Sequence, residues 1–365
     1  MGILRILVVA TSLLFPFLVL AESSIDELVA DTGIELSMKP VREAPRWQAP
    51  KNVIIRGSDD YVAGIGEDIS GIRLMPAATY ADALALAAEA DAIIGFCNPE
   101  LVAAAPRASW VQIFSSGAER CLVAPEVASG EIVLTNMQKM SSPVIGEHAV
   151  AMMLSLTRGL VQLAKHMPSG NWDRDLTVAP GVTPLADRTM LVVGLGGIGR
   201  ETAQRANALG MRVIATRNSS RSGPDYVDYV GLSDELMELA GQADVIVNAL
   251  PLTAATEGLF DDEFFAAAKR GAIFISVGRG RSTDTDALVA ALQSGQLGGA
   301  GLDVTDPEPL PADHPLWKMD NVIISPHVAG FGGGSDRHRV LVTENLRRFI
   351  AGEPLYNVVD PDKGY

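Results

Sequence analysis

The sequence predicts an α/β protein of two domains, each a parallel sheet with helices on both faces, and three observations lead there. At 365 residues the chain is too long for one ordinary domain and comfortable for two. From about residue 50 onward, short β-rich runs alternate with helical stretches, the pattern of parallel strands joined by crossover helices. The alternation comes in two series, separated by a long apolar helical stretch from Gly146 to Lys165 that suits a passage from one domain to the next. The composition supplies the material. With 48% of residues apolar and 20% charged, a large core is available, and 35 glycines and 21 prolines spread along the chain suit tight strand–helix connections better than disorder. A formal net charge of −15 argues against a nucleic-acid partner, because phosphate backbones are bound by Lys and Arg; it leaves room for a local basic pocket for a small anion.

The first 21 residues differ from the rest. Arg5 precedes an apolar run from Ile6 to Leu20, and Val19 and Ala21 take the −3 and −1 positions of a cleavage site ahead of Glu22-Ser23-Ser24. A positive start, an apolar middle and a small-residue exit read as a secretory signal peptide over residues 1–21, so the mature protein is expected in the periplasm or outside the cell. The alternatives are an uncleaved anchor or a buried first strand, with a cytoplasmic protein, since Pro16 interrupts a run that is short for a span. No other segment reads as a membrane crossing, so no membrane contact is expected once the leader is cut. The twin-arginine pair of a folded, cofactor-loaded passenger is missing. Cys97 and Cys121 could pair in an oxidising compartment, but two cysteines do not make a framework, and the expectation is two half-buried thiols.

In the first series the strands read Asn52–Arg56, Ala92–Cys97, Trp110–Ser115 and Ile132–Asn136, with helical stretches such as Tyr80–Ala90 between them. The second series is clearer: Met190–Val193, Arg212–Thr216, Asp244–Leu250, Ala272–Val277, Gly299–Val304 and Asn321–Ser325. Each is nearly continuously apolar, as strands covered on both faces are, and six with intervening helices are what a doubly wound dinucleotide-binding domain needs. The helical periodicity from Asp336 to Ile350 returns the chain to the first domain, after a Gly332–Gly334 run that could serve as a hinge. The division expected is 22–140 plus 328–365 for substrate and 141–327 for the cofactor.

Directly after Met190–Val193 comes GLGGIG, with Gly194, Gly196 and Gly199 in the G-x-G-x-x-G positions and Gly197 and Ile198 between. The first glycine permits the tight turn, the second lets backbone approach a pyrophosphate, and the third lets the next helix sit close to the strand, its N-terminus presenting N–H groups. Such a turn alone is weak, but here it lies between a strand and a helix running to Leu209. At the end of the second strand, where a carboxylate would hold the ribose 2′-OH of NAD, the sequence has Arg217, Asn218, Ser219, Ser220 and Arg221. A guanidinium can pair with a 2′-phosphate, so the expected cofactor is NADP(H), with NAD(H) as the alternative.

Hydride transfer to a keto acid needs a cation for the substrate carboxylate, a proton donor facing the carbonyl oxygen, and a carboxylate that keeps the donor charged. Three such groups fall just past consecutive strands, where ligands of these sheets bind: Arg279 in VGRG, Glu308 in LDVTDPEP and His327 in SPHVAG. Glu308 beside His327 would favour the imidazolium.

With IGEHAVAMML and Arg158 after it, LVVGLGGIGR, NALPLT, ISVGRG, GLDVTDPEPLP and PLWKMDNVIISPHVAG in order, the sequence resembles the D-isomer-specific 2-hydroxyacid dehydrogenase family, glyoxylate/hydroxypyruvate reductases in particular, from about Ser141 to Gly330. The resemblance implies two Rossmann-like or flavodoxin-like domains with a cleft between them, an Arg279–Glu308–His327 catalytic set, and Ser116-Gly117-Ala118 presenting backbone N–H groups to the substrate carboxylate. It also implies that Asp303 contacts the nicotinamide carboxamide, that Leu250, Pro251, Val277 and Gly278 belong to the cofactor site, and that the protein is a homodimer. Arg281 and Ser282 depart from the family, which usually continues GRG with a glycine or small residue, and so does the exported N-terminus. The activity expected is reduction of a small 2-oxo acid to the 2-hydroxy acid; a cofactor-sensing interaction protein and a phosphite-type dehydrogenase on the same fold are the alternatives.

Other residues read as structural. His148 sits on the long helix and is expected to pack or meet solvent. His166, His314 and His338 lack His, Cys or acid partners at metal-ligand spacing, so no metal site is expected. Trp47, Trp110, Trp172 and Trp317 read as core or interface anchors. Asp261-Asp262-Glu263 reads as favourable charge at a helix N-terminus.

Overall fold

The computed structural model describes residues 24–67, 69–172, 184–332 and 335–364; the expected leader over residues 1–21 lies outside them, as do Gly333 and Gly334 of the expected hinge. The strands in chain order are β1 (Leu36–Pro40), β2 (Asn52–Arg56), β3 (Arg73–Ala77), β4 (Ala92–Ile94), β5 (Trp110–Gln112), β6 (Val133–Thr135), β7 (Thr189–Val193), β8 (Arg212–Thr216), β9 (Tyr229–Gly231), β10 (Val245–Asn248), β11 (Ala272–Ser276), β12 (Leu297–Leu302), β13 (Val322–Ile324) and β14 (Pro354–Tyr356). They form an antiparallel β1–β14 pair, a five-stranded sheet ordered β3-β2-β4-β5-β6 and a seven-stranded sheet ordered β13-β12-β11-β10-β7-β8-β9. Every pairing in the two larger sheets is parallel. In both, the strand order reverses beside the first strand of the series, which opens a crevice at the carboxyl edge.

Side-chain alternation puts a core on each face of each sheet. In the first, Ile54 packs under one set of helices while Val53 and Ile55 pack on the opposite face with Trp110 and with Leu341, Val342, Leu346 and Phe349 of the last helix, Ser335–Ala351. In the second, Leu191 and Val193 join a cluster with Phe260, Phe264, Phe265 and Phe274, whereas Met190 and Val192 meet Ala149, Met152 and Met153 of the helix Ser142–Thr157. That helix therefore sits on the cofactor sheet, and the last helix returns to the first sheet. Gly146 permits the closeness: a Cβ there would lie 2.8 Å from Glu201 Cβ in the helix Gly197–Ala208. Asp261 caps the helix Asp262–Ala267 through the Phe264 N–H, as its acidic run suggested.

Four expectations need correction. The cofactor sheet has seven strands, not six; the extra one, β9, is a three-residue edge strand with Tyr229 exposed, too short and one-sided to read as an apolar run. The first sheet gains β3, which was not among the four expected strands; it carries Pro76 and pairs on one side only, and an edge tolerates the missing N–H. The stretch Gly146 to Lys165 is not one helix: Gly159, at φ 65°, ends the first and a second, Leu160–His166, leaves at 67°. Cys97 and Cys121 are joined in a disulfide rather than held as separate thiols. Among the described residues no single helix is long and apolar enough to cross a membrane.

Candidate active site

β7 delivers the glycine-rich turn. Gly194 takes φ 97°, and its N–H and that of Leu195 both donate to Thr216 O at 3.1 Å, tying the turn to the end of β8. Gly199 makes helix–strand contact possible, since a Cβ there would lie 2.1 Å from Gly194 O. Around Gly196 the opposite holds: a Cβ would meet nothing within 4 Å, and Gly196 caps the following helix with no side chain. An open approach to uncapped N–H groups at the positive end of a 12-residue helix fits a dinucleotide pyrophosphate. Gly197 and Ile198 are turned to protein: a Cβ on Gly197 would lie 2.5 Å from Ser142 Oγ, and Ile198 packs against the core, so only their backbone faces the turn.

At the end of β8 the two arginines differ. Arg221 pairs with Glu235 at 2.6 Å and donates to Tyr229 Oη at 3.0 Å. Arg217 donates through Nη1 to Ser222 O at 3.1 Å and has no carboxylate partner among the described residues; Asn218 and Ser219 beside it are exposed. Across the crevice, Asn248 Oδ1 accepts from the Leu250 N–H at 3.1 Å, which shapes the turn into Pro251. Gly278 lies against that turn, its would-be Cβ 2.7 Å from Leu250 O, which brings Leu250 and Gly278 together, whereas the Val277 side chain is packed in the sheet's core and Pro251 is exposed.

The loops after β11, β12 and β13 share the same edge, because those strands are parallel neighbours. They touch: a Cβ on Gly280 would lie 1.9 Å from Thr305 O, and Thr285 Oγ1 donates to Asp306 O at 2.6 Å. His327 stands at the tip of the third loop with φ 54°, a strained position for a side-chain-bearing residue. Its N–H donates to Asp303 O at 2.8 Å, and its Nδ1 meets Glu308 Oε1 at 2.8 Å. Nε2 is left without a partner among the described residues. Both side chains are close to half exposed, so the couple faces open space. Arg279, in the first loop, reaches to Gly117, whose would-be Cβ lies 2.2 Å from its Nη2. The predicted substrate turn and predicted cation are therefore adjacent. Among the described residues the N–H groups of Ser116, Gly117 and Ala118 donate to no acceptor, while Asn136 Nδ2 holds the turn by Ser116 O at 2.7 Å.

Asp303, expected to contact the nicotinamide carboxamide, has its carboxylate engaged by the loop that carries His327. It is 3% exposed, and its carboxylate accepts from Ser325 Oγ at 2.6 Å, Val328 N at 2.9 Å and Ala329 N at 3.0 Å. A buried carboxylate satisfied by three donors braces the loop that carries His327. His148, read as packing, extends this network, its Nε2 2.8 Å from Ser325 Oγ. Glu119 was not singled out at all, yet it accepts from Arg279 Nε at 3.1 Å across 160 residues. Of the two departures in the GRG loop, Arg281 turns outward to pair with Glu257, and Ser282 is buried, bonded to Arg279 O and Asn248 Nδ2. Among the described residues no group of three or more His, Cys, Asp or Glu is placed to hold a metal ion.

Residues 150–329 match the family model described as D-isomer specific 2-hydroxyacid dehydrogenase, NAD binding domain. A glyoxylate reductase of Thermofilum pendens is 32% identical over 258 residues, 70% of this chain and 76% of that protein. The human glyoxylate reductase/hydroxypyruvate reductase is 35% identical over 215 residues, 57% of this chain and 64% of that protein. Among solved structures, the NADPH-dependent glyoxylate/hydroxypyruvate reductase of Sinorhizobium meliloti, in complex with NADP and sulfate, superposes with a TM-score of 0.75 at 28% identity, covering 86% of this chain and all of that one.

Proposed function

Because this chain belongs to the D-isomer specific 2-hydroxyacid dehydrogenase family, we propose that it is an NADP(H)-preferring reductase of small 2-oxo acids, with glyoxylate and hydroxypyruvate the first substrates to test. The observation that carries the reading is the 2.8 Å couple of His327 and Glu308 on the sheet edge that also bears Arg279 against the Ser116–Ala118 turn. Residues 22–140 with 328–365 bind the substrate, and 141–327 the cofactor. Gly194, Gly196, Gly199 and the helix start hold the pyrophosphate; Arg217, Asn218 and Ser219 hold the 2′-phosphate; Leu250, Pro251, Val277 and Gly278 line the nicotinamide. When bound, the dinucleotide supplies the hydride.

The protein's own residues do the rest. The 116–118 N–H groups and Arg279 orient the substrate carboxylate, and Arg279 draws electron density from the 2-oxo carbon. His327 gives a proton from Nε2 to the developing alkoxide. Glu308, bonded at Nδ1, fixes the orientation of the ring. We also place the folded protein in an oxidising compartment, periplasmic or extracellular, and the Cys97–Cys121 disulfide supports that.

The test is a panel of 2-oxo acids followed by cofactor absorbance with NADPH and with NADH. Turnover of at least one short 2-oxo acid is expected, and His327→Ala should lower kcat by about a hundredfold to ten-thousandfold with cofactor affinity retained. A full-length protein that binds NADPH but turns over none of the panel is a cofactor sensor instead.

A further inference from the structure

Glu119 is the one acidic side chain in contact with the guanidinium that the reductase reading assigns to the substrate, among the described residues. It lies just after the Ser116–Ala118 turn that follows the first-sheet strand β5, whereas Arg279 follows β11 of the cofactor sheet. Arg279 Nε donates to Glu119 Oε1 at 3.1 Å, and Nη1 donates to Gly278 O at 2.9 Å. A guanidinium has five N–H bonds, so three remain, on Nη1 and Nη2. Both members of the pair close over Gly117: a Cβ there would sit 2.2 Å from Arg279 Nη2 and 2.4 Å from Glu119 Oε2. A second carboxylate charge is thus built into the place where a substrate carboxylate is to be held. The pair is partly open to solvent, with side chains 29% and 37% exposed, so an incoming anion meets both charges. The segment carrying Glu119 is also pinned, by the Cys121 N–H to Ala118 O at 2.9 Å and by the disulfide from Cys121 to Cys97.

We propose that Glu119 is the charge-selecting residue of this site: it aims Arg279 through Nε and excludes 2-oxo acids that carry a second carboxylate. The proposal rests on the reductase reading for the identity of the substrate. A short monoanion finds the free Nη donors and the N–H groups of residues 116–118, and adds one negative charge to the Arg279–Glu119 pair. A dicarboxylate adds two negative charges to the same pair, whose cation Glu119 already balances. At a half-exposed position, removing one repulsive charge a few ångströms away is worth about fivefold to tenfold in affinity. A neutral polar substituent on the third carbon escapes the repulsion and can donate to Glu119, so hydroxylated short 2-oxo acids are the favoured class.

The experiment compares wild type, Glu119→Gln and Glu119→Asp. With NADPH, kcat/KM is measured for glyoxylate and for oxaloacetate, and calorimetry on the NADP⁺-loaded protein measures binding of oxamate, a monoanion, and tartronate, a dianion. Glu119→Gln should shrink the monoanion preference about fivefold to tenfold in both ratios, mainly through KM and Kd of the dianion, and Glu119→Asp should keep most of it. Equal preference in wild type and Glu119→Gln overturns the proposal and leaves the reductase reading intact. So does a loss in Glu119→Asp as large as in Glu119→Gln, since the charge would then not be the cause. If no 2-oxo acid is turned over but tartronate binding improves in Glu119→Gln, the reductase reading fails and the charge selection stands.

Discussion

At the end of β8, two arginines four positions apart meet different fates, and cofactor choice follows from the difference. Arg221 is held by Glu235, whose carboxyl is kept below the usual range by the Tyr229 hydroxyl, the Leu232 N–H and Arg221 itself. Its charge is matched, so it has little left for a ligand. Among the described residues Arg217 bonds only a carbonyl, keeping most of its donors and its charge for a phosphate. Charge-assisted bonds of this kind contribute about 1.5–3 kcal/mol, so Arg217→Ala should raise KM for NADPH by about tenfold to a hundredfold while KM for NADH barely moves. Arg221→Ala should change the NADPH/NADH ratio far less; equal effects of the two substitutions would show that Arg217 is a surface arginine like its neighbour. At this scale the sequence was informative where chemistry is local: Arg217, Arg279, Glu308 and His327 each follow a strand that reads clearly. Glu119 was hidden because its meaning lies in a partner 160 residues away.

Elements were legible in proportion to how fully they are covered. Strands buried on both faces, such as β7 and β11, appear as continuous apolar runs, whereas the edges β3 and β9 do not. The helix Ser335–Ala351 was legible from its periodicity, but not what one of its histidines does. His338 is partly buried, its Nε2 finds no hydrogen-bond partner among the described residues, and burial pushes its imidazole below the usual value of 6.5. Between that value and the lower folded one, the unfolded chain takes up a proton that the folded chain refuses. Acidification through this window therefore favours unfolding, and above about pH 6.5 the group contributes nothing to the slope. Urea midpoints followed from neutral pH downward should fall on acidification, and His338→Gln should flatten that part of the curve. An unchanged slope in the variant would assign the acid sensitivity to other groups.

Across the whole molecule, the division into two sheets was legible from length and alternation, but the ties that fix the local geometry were not, because each joins segments that are not neighbours in sequence. The disulfide is a case in point: Cys97 follows β4, Cys121 follows the substrate turn, and neither neighbourhood announces the other. Closing a loop with a sequence separation of 24 lowers the entropy of the unfolded chain by an amount worth about 3–4 kcal/mol. That stabilisation falls on the first sheet and on the turn that carries Ser116 to Glu119, not on the cofactor sheet, whose core is separate. Reduction should therefore act unevenly. A dithiol, or the Cys97→Ser/Cys121→Ser pair, should lower the unfolding midpoint of the first sheet, read by hydrogen exchange at β4 and β5, while exchange at β7 and β10 stays near its oxidised level. Substrate KM should rise before cofactor affinity changes, since the disulfide borders the turn facing Arg279 rather than the glycine turn. If exchange slows or quickens equally in both sheets on reduction, the two fold as one cooperative unit and the disulfide stabilises the whole rather than its own half.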